Sequence, residues 1–387
     1  MGAGTFGCTF SPKIPCLNKN LSILDSNNSY ISKVLKGNTN DSLLIEEIDI
    51  SNMILNIPQY KYYFAPILET CLIDISIIPE SEREKCLIIA KYLTKSETVI
   101  EEDSDKEIIY DFTSSALKYV GKTGIQKYLL QIIMSNESLG VKSTYETYTH
   151  LLEGLIKMQN MSSSIVHMDI KLDNILIDEI LNVPIIIDFG FSVTNTELLN
   201  MVNYEKSLNY RFWSYQYEAS DSISINWSIE IEILCYISQI KFKSRGGKIN
   251  DIIKFEDIQH LEKVVENYIL KTNMKFLYSL SDENIISFYL NTKKYLYSYE
   301  LSNWKILVDD LLGTFQSWDV YALALIYSHF INNESIQFEE YYSNLFIQNC
   351  KNDLINIVIS APGKRAKPLD ALLSTMRHWT NSQNRRQ

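Results

Sequence analysis

At 387 residues the chain can bury one large core or two lobes, and 46% hydrophobic against 21% charged residues marks it as globular rather than disordered. Its net charge of −11 argues against nucleic acid as the main partner, because phosphate backbones select basic surfaces. No apolar run approaches the roughly 20 residues of a membrane span, and no basic region followed by an apolar core opens the chain, so a cytoplasmic protein without a membrane span is expected. The chain opens with Gly2-Ala3-Gly4-Thr5-Phe6-Gly7. Glycines at this spacing let a hairpin backbone approach phosphates without a Cβ clash, although a lone motif of this kind is equally well a flexible tail. A dinucleotide fold needs a strand before the glycines and a helix after them. One residue precedes Gly2, and Pro12 and Pro15 rule out an early helix, so a strand–turn–strand hairpin with Phe6 at its tip fits better.

Tyr30–Leu35 is a short β-prone run carrying Lys33. Leu43–Leu55 reads as a helix with Leu44, Ile48 and Leu55 near one face and Asp41 or Ser42 as its N-cap. It offers Glu46 and Glu47 as partners for Lys33. Glu47 is favoured by its apolar neighbours, and Glu46 stays open. Strands and a connecting loop are expected over 60–78, an acidic exposed loop over 96–107, and a further strand over about 108–119. Val120-Gly121-Lys122-Thr123-Gly124 is turn-rich and reads as a hinge between two lobes, 1–120 and 121–387.

The helix Tyr145–Met158 follows, with Tyr145, Tyr148, Leu152 and Leu155 on one stripe. Next comes His167-Met168-Asp169-Ile170-Lys171-Leu172-Asp173-Asn174, which sets an Asp, a Lys and an Asn on one tight loop. The apolar run Ile185-Ile186-Ile187 then ends at Asp188-Phe189-Gly190. Phosphoryl transfer needs this set: one carboxylate to orient the acceptor hydroxyl, an amide and a second carboxylate to hold magnesium, and a Lys to neutralise developing charge. Between Phe191 and Gln316 no motif stands out, but the helical spacing of Ile258, Leu261, Val265 and Ile269 points to a structured subdomain. Ser317–Leu325 opens an amphipathic helix with Val320, Leu323, Ala324 and Tyr327 on one side. Pro362-Gly363-Lys364-Arg365 precedes a last helix, and the polar tail 378–387 reads as a frayed terminus. Six cysteines, at 8, 16, 71, 86, 235 and 350, form no CxxC pair and are expected as free thiols in a reducing compartment.

Taken together, these residues resemble the eukaryotic-type protein kinase family, in its Ser/Thr branch, over residues 2–190 and 317–375. The resemblance implies an α+β, bilobal protein-kinase-like fold, with a small β-rich N-lobe and a larger, mostly helical C-lobe that carries an atypical insertion at about 192–316. It makes Gly2, Gly4, Phe6 and Gly7 the Gly-rich loop over ATP, and Lys33 the α/β-phosphate lysine paired with Glu47. Asp169 would accept the proton of a Ser/Thr hydroxyl on a protein substrate, with Lys171 on the γ-phosphate. Asn174 and Asp188 would hold Mg²⁺. His167, Gly190, Asp319 and Arg365 would be structural, with Asp319 bracing the catalytic loop backbone. The Ile/Asn-rich style and the insertion are similar to kinases of large DNA viruses, which implies host cytoplasm or virion as the location. No feature specifies an oligomeric state.

Four departures from the family pattern carry consequences. Met168 replaces the Arg before the catalytic Asp, so an activation-loop phosphate has one cation fewer to pair with, and activity independent of phosphorylation at Ser192, Thr194 or Thr196 is expected. The family's Ala-Pro-Glu is missing, and Glu218 is the best candidate partner for Arg365. The stretch from Asp188 to Asp319 is unusually long and would be a docking surface, a lid or padding. The glycines begin at position 2, which points to a truncated reading frame or weak ATP affinity. Two alternatives to an active protein kinase stay open: a pseudokinase scaffold, and a small-molecule kinase of the aminoglycoside or choline type.

Overall fold

The structure is a computed structural model that describes residues 2–3, 7–17, 29–36, 42–99, 112–200, 226–272, 280–331 and 341–384. It is a mixed α+β chain with a small sheet-rich N-terminal region and a helical C-terminal region. Two compact units divide it: Met1–Gly121 with Ile187–Gly190, and Lys122–Ile186 with Phe191–Gln387. Among the described residues no helix is long and apolar enough to cross a membrane.

In the N-terminal unit five antiparallel strands, Gly2–Ala3 (β1), Cys8–Phe10 (β2), Tyr30–Lys36 (β3), Ile67–Leu72 (β4) and Phe112–Lys118 (β5), form one sheet in the order β1-β2-β3-β5-β4. The opening residues pair as the expected hairpin, Gly2 opposite Thr9 and Ala3 opposite Cys8. Its turn, with Gly4 and Phe6, lies outside the described residues. Gly7 has a packing reason of its own: a Cβ there would stand 2.8 Å from both Leu35 Cδ2 and the Val34 carbonyl oxygen, so only glycine lets this backbone lie against β3. Alternation along β3 buries Ser32 and Val34 and turns Lys33 to the other face. The two longer helices beside the sheet are Ser42–Leu55 (α1) and Leu87–Val99 (α2). The expected loop over 96–107 is corrected in its first part, since 96–99 close α2, and the rest lies outside the described residues. So do the cap candidate Asp41 and the Ser42 side chain.

The cysteine expectation is corrected as well. Cys8 bonds Cys86 and Cys16 bonds Cys71, with Cα separations of 5.9 and 5.6 Å, leaving Cys235 and Cys350 free and buried. Partners 78 and 55 residues apart have no local spacing to betray them. All four half-cystines sit in one apolar cluster with Phe10, Ile14, Val34, Ile73, Ile89 and Phe112. Beside them Lys13, itself buried, pairs with Glu69 at 2.9 Å.

The C-terminal unit is built on helices. Ile125–Ser135 (α3) and Glu137–Gln159 (α4) pack closely because position 140 is glycine: a Cβ would meet Ile133 Cγ1 at 2.2 Å and its Cα at 2.7 Å. The Asn136 side chain accepts from the Leu139 N–H at 2.8 Å and caps α4, which therefore starts well before the expected Tyr145. The serines, threonines and Gly140 in its first half dilute the apolar period that a sequence reading relies on. The described part of 192–316 is mostly helical after the short strand Val193–Thr194, with Ile229–Tyr236 (α5), Phe255–Asn267 (α6), Asp282–Tyr297 (α7) and Trp304–Gly313 (α8) as its main helices. Ile258, Leu261 and Val265 form the buried stripe of α6, which widens into a π-helical turn at Tyr268–Thr272.

Trp318–Ile331 (α9) departs from the expected amphipathic pattern. Every residue but His329 is buried, so the helix is enclosed on all sides. Tyr341–Ile359 (α10) and Pro368–Asn384 (α11) complete the unit. The expected frayed tail is corrected over its first part: α11 continues to Asn384, Trp379 stacks on Tyr145 with ring centroids 4.4 Å apart, and His378 Nε2 lies 2.8 Å from Asp353 Oδ2.

Candidate functional site

The selected residues fall into two clusters, one in each unit. In the N-terminal unit Lys33 on β3 extends its Nζ to Glu47 on α1, at 2.9 and 3.2 Å from the two carboxylate oxygens, and to Asp188 Oδ1 at 2.8 Å. Glu47, the favoured of the two sequence candidates, is thus the residue that pairs with Lys33. It is buried, as an apolar-flanked position on α1 requires. Burial alone would pull the Lys33 ammonium down, but Glu47 and then Asp188 outweigh it and hold the group above its ordinary value of 10.5. Asp188 directly follows the strand Pro184–Ile187 and adopts a left-handed φ of 63°. Its carboxylate is 40% exposed, so one face stays open to solvent while Oδ1 engages Lys33. A Cβ at Gly190 would lie 3.5 Å from both Asp188 Oδ1 and Glu47 Oε2, in ordinary contact, so sterics do not demand glycine there.

In the C-terminal unit the loop 167–174 is held mainly by its backbone. Asp319, in the first turn of α9, accepts from the His167 N–H at 2.7 Å and the Met168 N–H at 2.9 Å. Burial pushes its carboxyl up to about 6, against the pull of those two N–H donors. From the other side Trp227 Nε1 donates to the Met168 carbonyl at 2.8 Å, and Asn226 Nδ2 to the Ile170 carbonyl at 3.3 Å. Met168 itself takes a left-handed φ of 61° and is buried. With the backbone clamped, Asp169 Oδ2 accepts from Lys171 Nζ and from Asn174 Nδ2, both at 2.8 Å, and its own carbonyl accepts from Asn174 Nδ2 at 2.9 Å. The Asn174 amide is thereby oriented with its nitrogen on Asp169, leaving Oδ1 as the atom with which it could ligate a cation. His167 is fully buried, and its Nδ1 accepts from the Asp169 N–H at 3.2 Å, a supporting position rather than a reacting one.

Arg365 is placed differently from expectation. Its partner is Glu230 on α5, with Nη1 to Oε1 at 2.5 Å and both side chains fully buried; Glu218, the candidate the sequence offered, lies outside the described residues. Arg365 also donates to the Ile357 and Ser360 carbonyls and lies over the Tyr321 ring, 4.6 Å from its centroid. The Tyr268 hydroxyl donates to the Trp227 carbonyl at 2.7 Å, so in its 2.5 Å contact with Tyr321 it accepts. A continuous buried series therefore runs from Arg365 through Tyr321, Tyr268 and Trp227 to the loop carbonyl of Met168. Trp227, Asn226, Glu230 and Tyr268 all come from the stretch without motifs. Their contacts span tens of residues, and only the cluster of large aromatics there hinted at a buried role.

Chemically, the first cluster offers an ammonium beside a half-open carboxylate, a pairing suited to a phosphate and its counter-cation. The second offers a carboxylate held at a fixed angle by an ammonium and an amide, a pairing suited to orienting a hydroxyl. Cys16, Glu69 and Cys71 also converge, but both sulfurs are spent in a disulfide and cannot act as thiolate ligands. No family model matches the chain, and no curated protein matches it.

Proposed function

We propose that this chain is an ATP- and Mg²⁺-dependent Ser/Thr protein kinase with a bilobal protein-kinase-like fold. The observation that carries the reading is the meeting of Lys33, Glu47 and Asp188: three residues singled out for phosphoryl transfer, the outer two far apart in sequence, form one ion-paired cluster. In this reading Lys33 binds the α/β-phosphates and Glu47 fixes its position. Asp169 orients the acceptor hydroxyl and takes its proton at the carboxylate, while Lys171 neutralises charge on the γ-phosphate. Asp188 and Asn174 are oxygen donors of the kind Mg²⁺ accepts, and the exposed face of Asp188 leaves room for a cation. When bound, Mg²⁺ supplies positive charge that neutralises the phosphate oxygens. The clamp of Asp319, Trp227 and Asn226 keeps the loop from reorganising during transfer, which is where positioning catalysis gains its rate.

Independence from activation-loop phosphorylation belongs to the same reading. Ser192 is buried with its hydroxyl on the His167 carbonyl, and Thr194 is buried with its hydroxyl on Glu197, so neither is presented to a modifying enzyme. Thr196 is exposed, and Thr196→Glu is expected to leave transfer unchanged. The reading places the enzyme in the cytoplasm, or in a virion if the chain is viral. The two disulfides then require an oxidant in that setting, because cytosolic thiols are ordinarily kept reduced.

The test is transfer of radiolabelled phosphate from Mg·ATP to a casein-type or basic protein. Labelling of Ser/Thr that Asp169→Asn and Lys33→Met each abolish supports the reading. No transfer together with no ATP-induced thermal shift overturns it in favour of a scaffold, and transfer to amino-sugar or choline acceptors instead points to a small-molecule kinase.

A further inference from the structure

Glu69 and Cys71 stand two residues apart on β4, the edge strand of the N-terminal sheet, so the pleat sends both side chains to one face. Cys16 is brought beside them by backbone bonds that owe nothing to sulfur. The Leu17 N–H donates to the Leu72 carbonyl at 2.9 Å, the Lys13 N–H to the Tyr30 carbonyl at 3.0 Å, and the Ile14 N–H to Ser32 Oγ at 2.8 Å. The two sulfurs and a Glu69 carboxylate oxygen consequently lie within 4.8 Å of one another. Cys16 Sγ stands 3.2 Å from Glu69 Oε1. A disulfide sulfur has no proton to donate, so in the oxidised chain two electron-rich atoms face each other there. A thiol proton or a metal ion turns that contact into an attraction. Cys8 and Cys86 enter no such group among the described residues.

From this convergence we infer that Cys16, Glu69 and Cys71 form a zinc site when the chain folds under reducing conditions, with Zn²⁺ taking the place of the inner disulfide. The donor set selects the metal. Two thiolates disfavour Mg²⁺ and Ca²⁺, which take oxygen, and the carboxylate beside them favours Zn²⁺ over Cu⁺. Bonds of about 2.0–2.3 Å in a tetrahedron set donor atoms roughly 3.6 Å apart. Opening the S–S bond lets the sulfurs part to that spacing, while their Cα atoms, 5.6 Å apart, stay where the backbone bonds hold them. Water fills the fourth position, as at other zinc sites with three protein ligands. Zn²⁺ with two thiolates and one carboxylate carries one negative charge, and the buried Lys13 ammonium, 2.9 Å from Glu69 Oε1, offsets it. The exchange balances. A dithiol reductant gives two electrons and two protons to the bridge and is itself oxidised to a disulfide, and the two new thiols release their protons to solvent as Zn²⁺ binds. The inner fastening thus persists where thiols are kept reduced. The site shares no residue with the phosphotransfer candidates.

The full-length protein, reduced with a phosphine in the absence of oxygen, is titrated with Co²⁺, whose thiolate charge-transfer and tetrahedral d–d bands report the donor set, and then with Zn²⁺. Wild type is expected to show a thiolate band that saturates at one Co²⁺ per chain and that Zn²⁺ bleaches, and Zn²⁺ is expected to raise the melting temperature of the reduced protein. Cys8→Ser combined with Cys86→Ser should leave the spectrum unchanged. Cys16→Ser should weaken Co²⁺ binding by more than about tenfold, and Glu69→Gln by roughly tenfold with the thiolate band kept. Absence of the band in reduced wild type overturns the inference. So does a band of full affinity in Cys16→Ser, its loss in the Cys8 and Cys86 variant, or equal affinity in Glu69→Gln. Should Cys16→Ser not fold, Glu69→Gln decides, because it keeps both sulfurs and forms the inner disulfide before reduction. A reduced wild type that is unfolded and that Zn²⁺ fails to refold overturns the inference as well.

Discussion

The N-terminal unit holds its charged cluster by side chains meeting side chains, whereas the C-terminal unit holds its loop by the backbone. Lys33, on a sheet fastened by two disulfides, is shared between the carboxylates of Glu47 and Asp188. Asp169 stands on a loop whose N–H groups go to Asp319 and whose carbonyls go to Trp227 and Asn226. A side-chain cluster can re-pair when a charged ligand arrives, because each ion merely exchanges partners. A backbone clamp cannot, and its geometry is set before any ligand binds. The two units thus show two ways of storing charge: one adaptable and covalently reinforced, the other preorganised and supported by buried polar groups.

Tryptophan fluorescence can probe this contrast, because all five tryptophans lie at or beyond residue 213, within the C-terminal unit. The largest effect is expected at Arg365. Arg365→Met leaves Glu230 buried without its cation and should cost about 3–5 kcal/mol in the tryptophan-monitored urea transition. Arg365→Met combined with Glu230→Met should recover much of that loss. A double variant no better than the single one would mean that Arg365 acts through the Tyr321 ring and the helix-end carbonyls rather than through the ion pair.

Next in size is the covalent fastening. Replacing Cys8 and Cys86 by Ser opens a 78-residue closure and should cost roughly 2–4 kcal/mol. Hydrogen exchange should rise along β2 and β3 while the tryptophan transition stays put. An equal shift of that transition would dissolve the contrast by showing that the two units unfold as one.

The smallest effect concerns pH. The Asp319 carboxyl stands at about 6 in the folded chain against an ordinary 3.8, so between these values the folded chain retains a proton that the unfolded chain has released. Stability from this group is therefore full below pH 3.8 and lost as pH rises through 6. Wild type should lose on the order of 2–3 kcal/mol relative to Asp319→Asn between pH 4 and pH 7. Parallel pH profiles for the two proteins would show that the two N–H donors hold the carboxylate at its ordinary value.

Much of the first cluster was legible because its parts are local. Lys33 lies in a β-prone run, Glu47 on a helix with a clear apolar face, and Asp188 directly after three isoleucines. The second cluster was legible only in its short loop and in Asp319. What supports that loop from the carbonyl side was not, since a Trp227–Met168 hydrogen bond across 59 residues leaves no periodicity to read. Glu230 escaped for the same reason, its partner Arg365 lying 135 residues away. The disulfides escaped because widely spaced cysteines resemble free thiols until a sheet brings them together. The early start of α4 was hidden by Gly140, which reads as a helix breaker but serves as the contact point with Ile133.

The two disulfides are nested, Cys16–Cys71 inside Cys8–Cys86. In polymer terms the region is a ring within a ring, and Lys33 and Glu47 both lie on the inner one. A backbone cut anywhere between residues 16 and 71 leaves two fragments joined by both bridges, and a cut in the outer margins leaves them joined by one. A protease could therefore nick this unit once without releasing either member of the ion pair, and the nicked chain would still migrate as a single species until it was reduced.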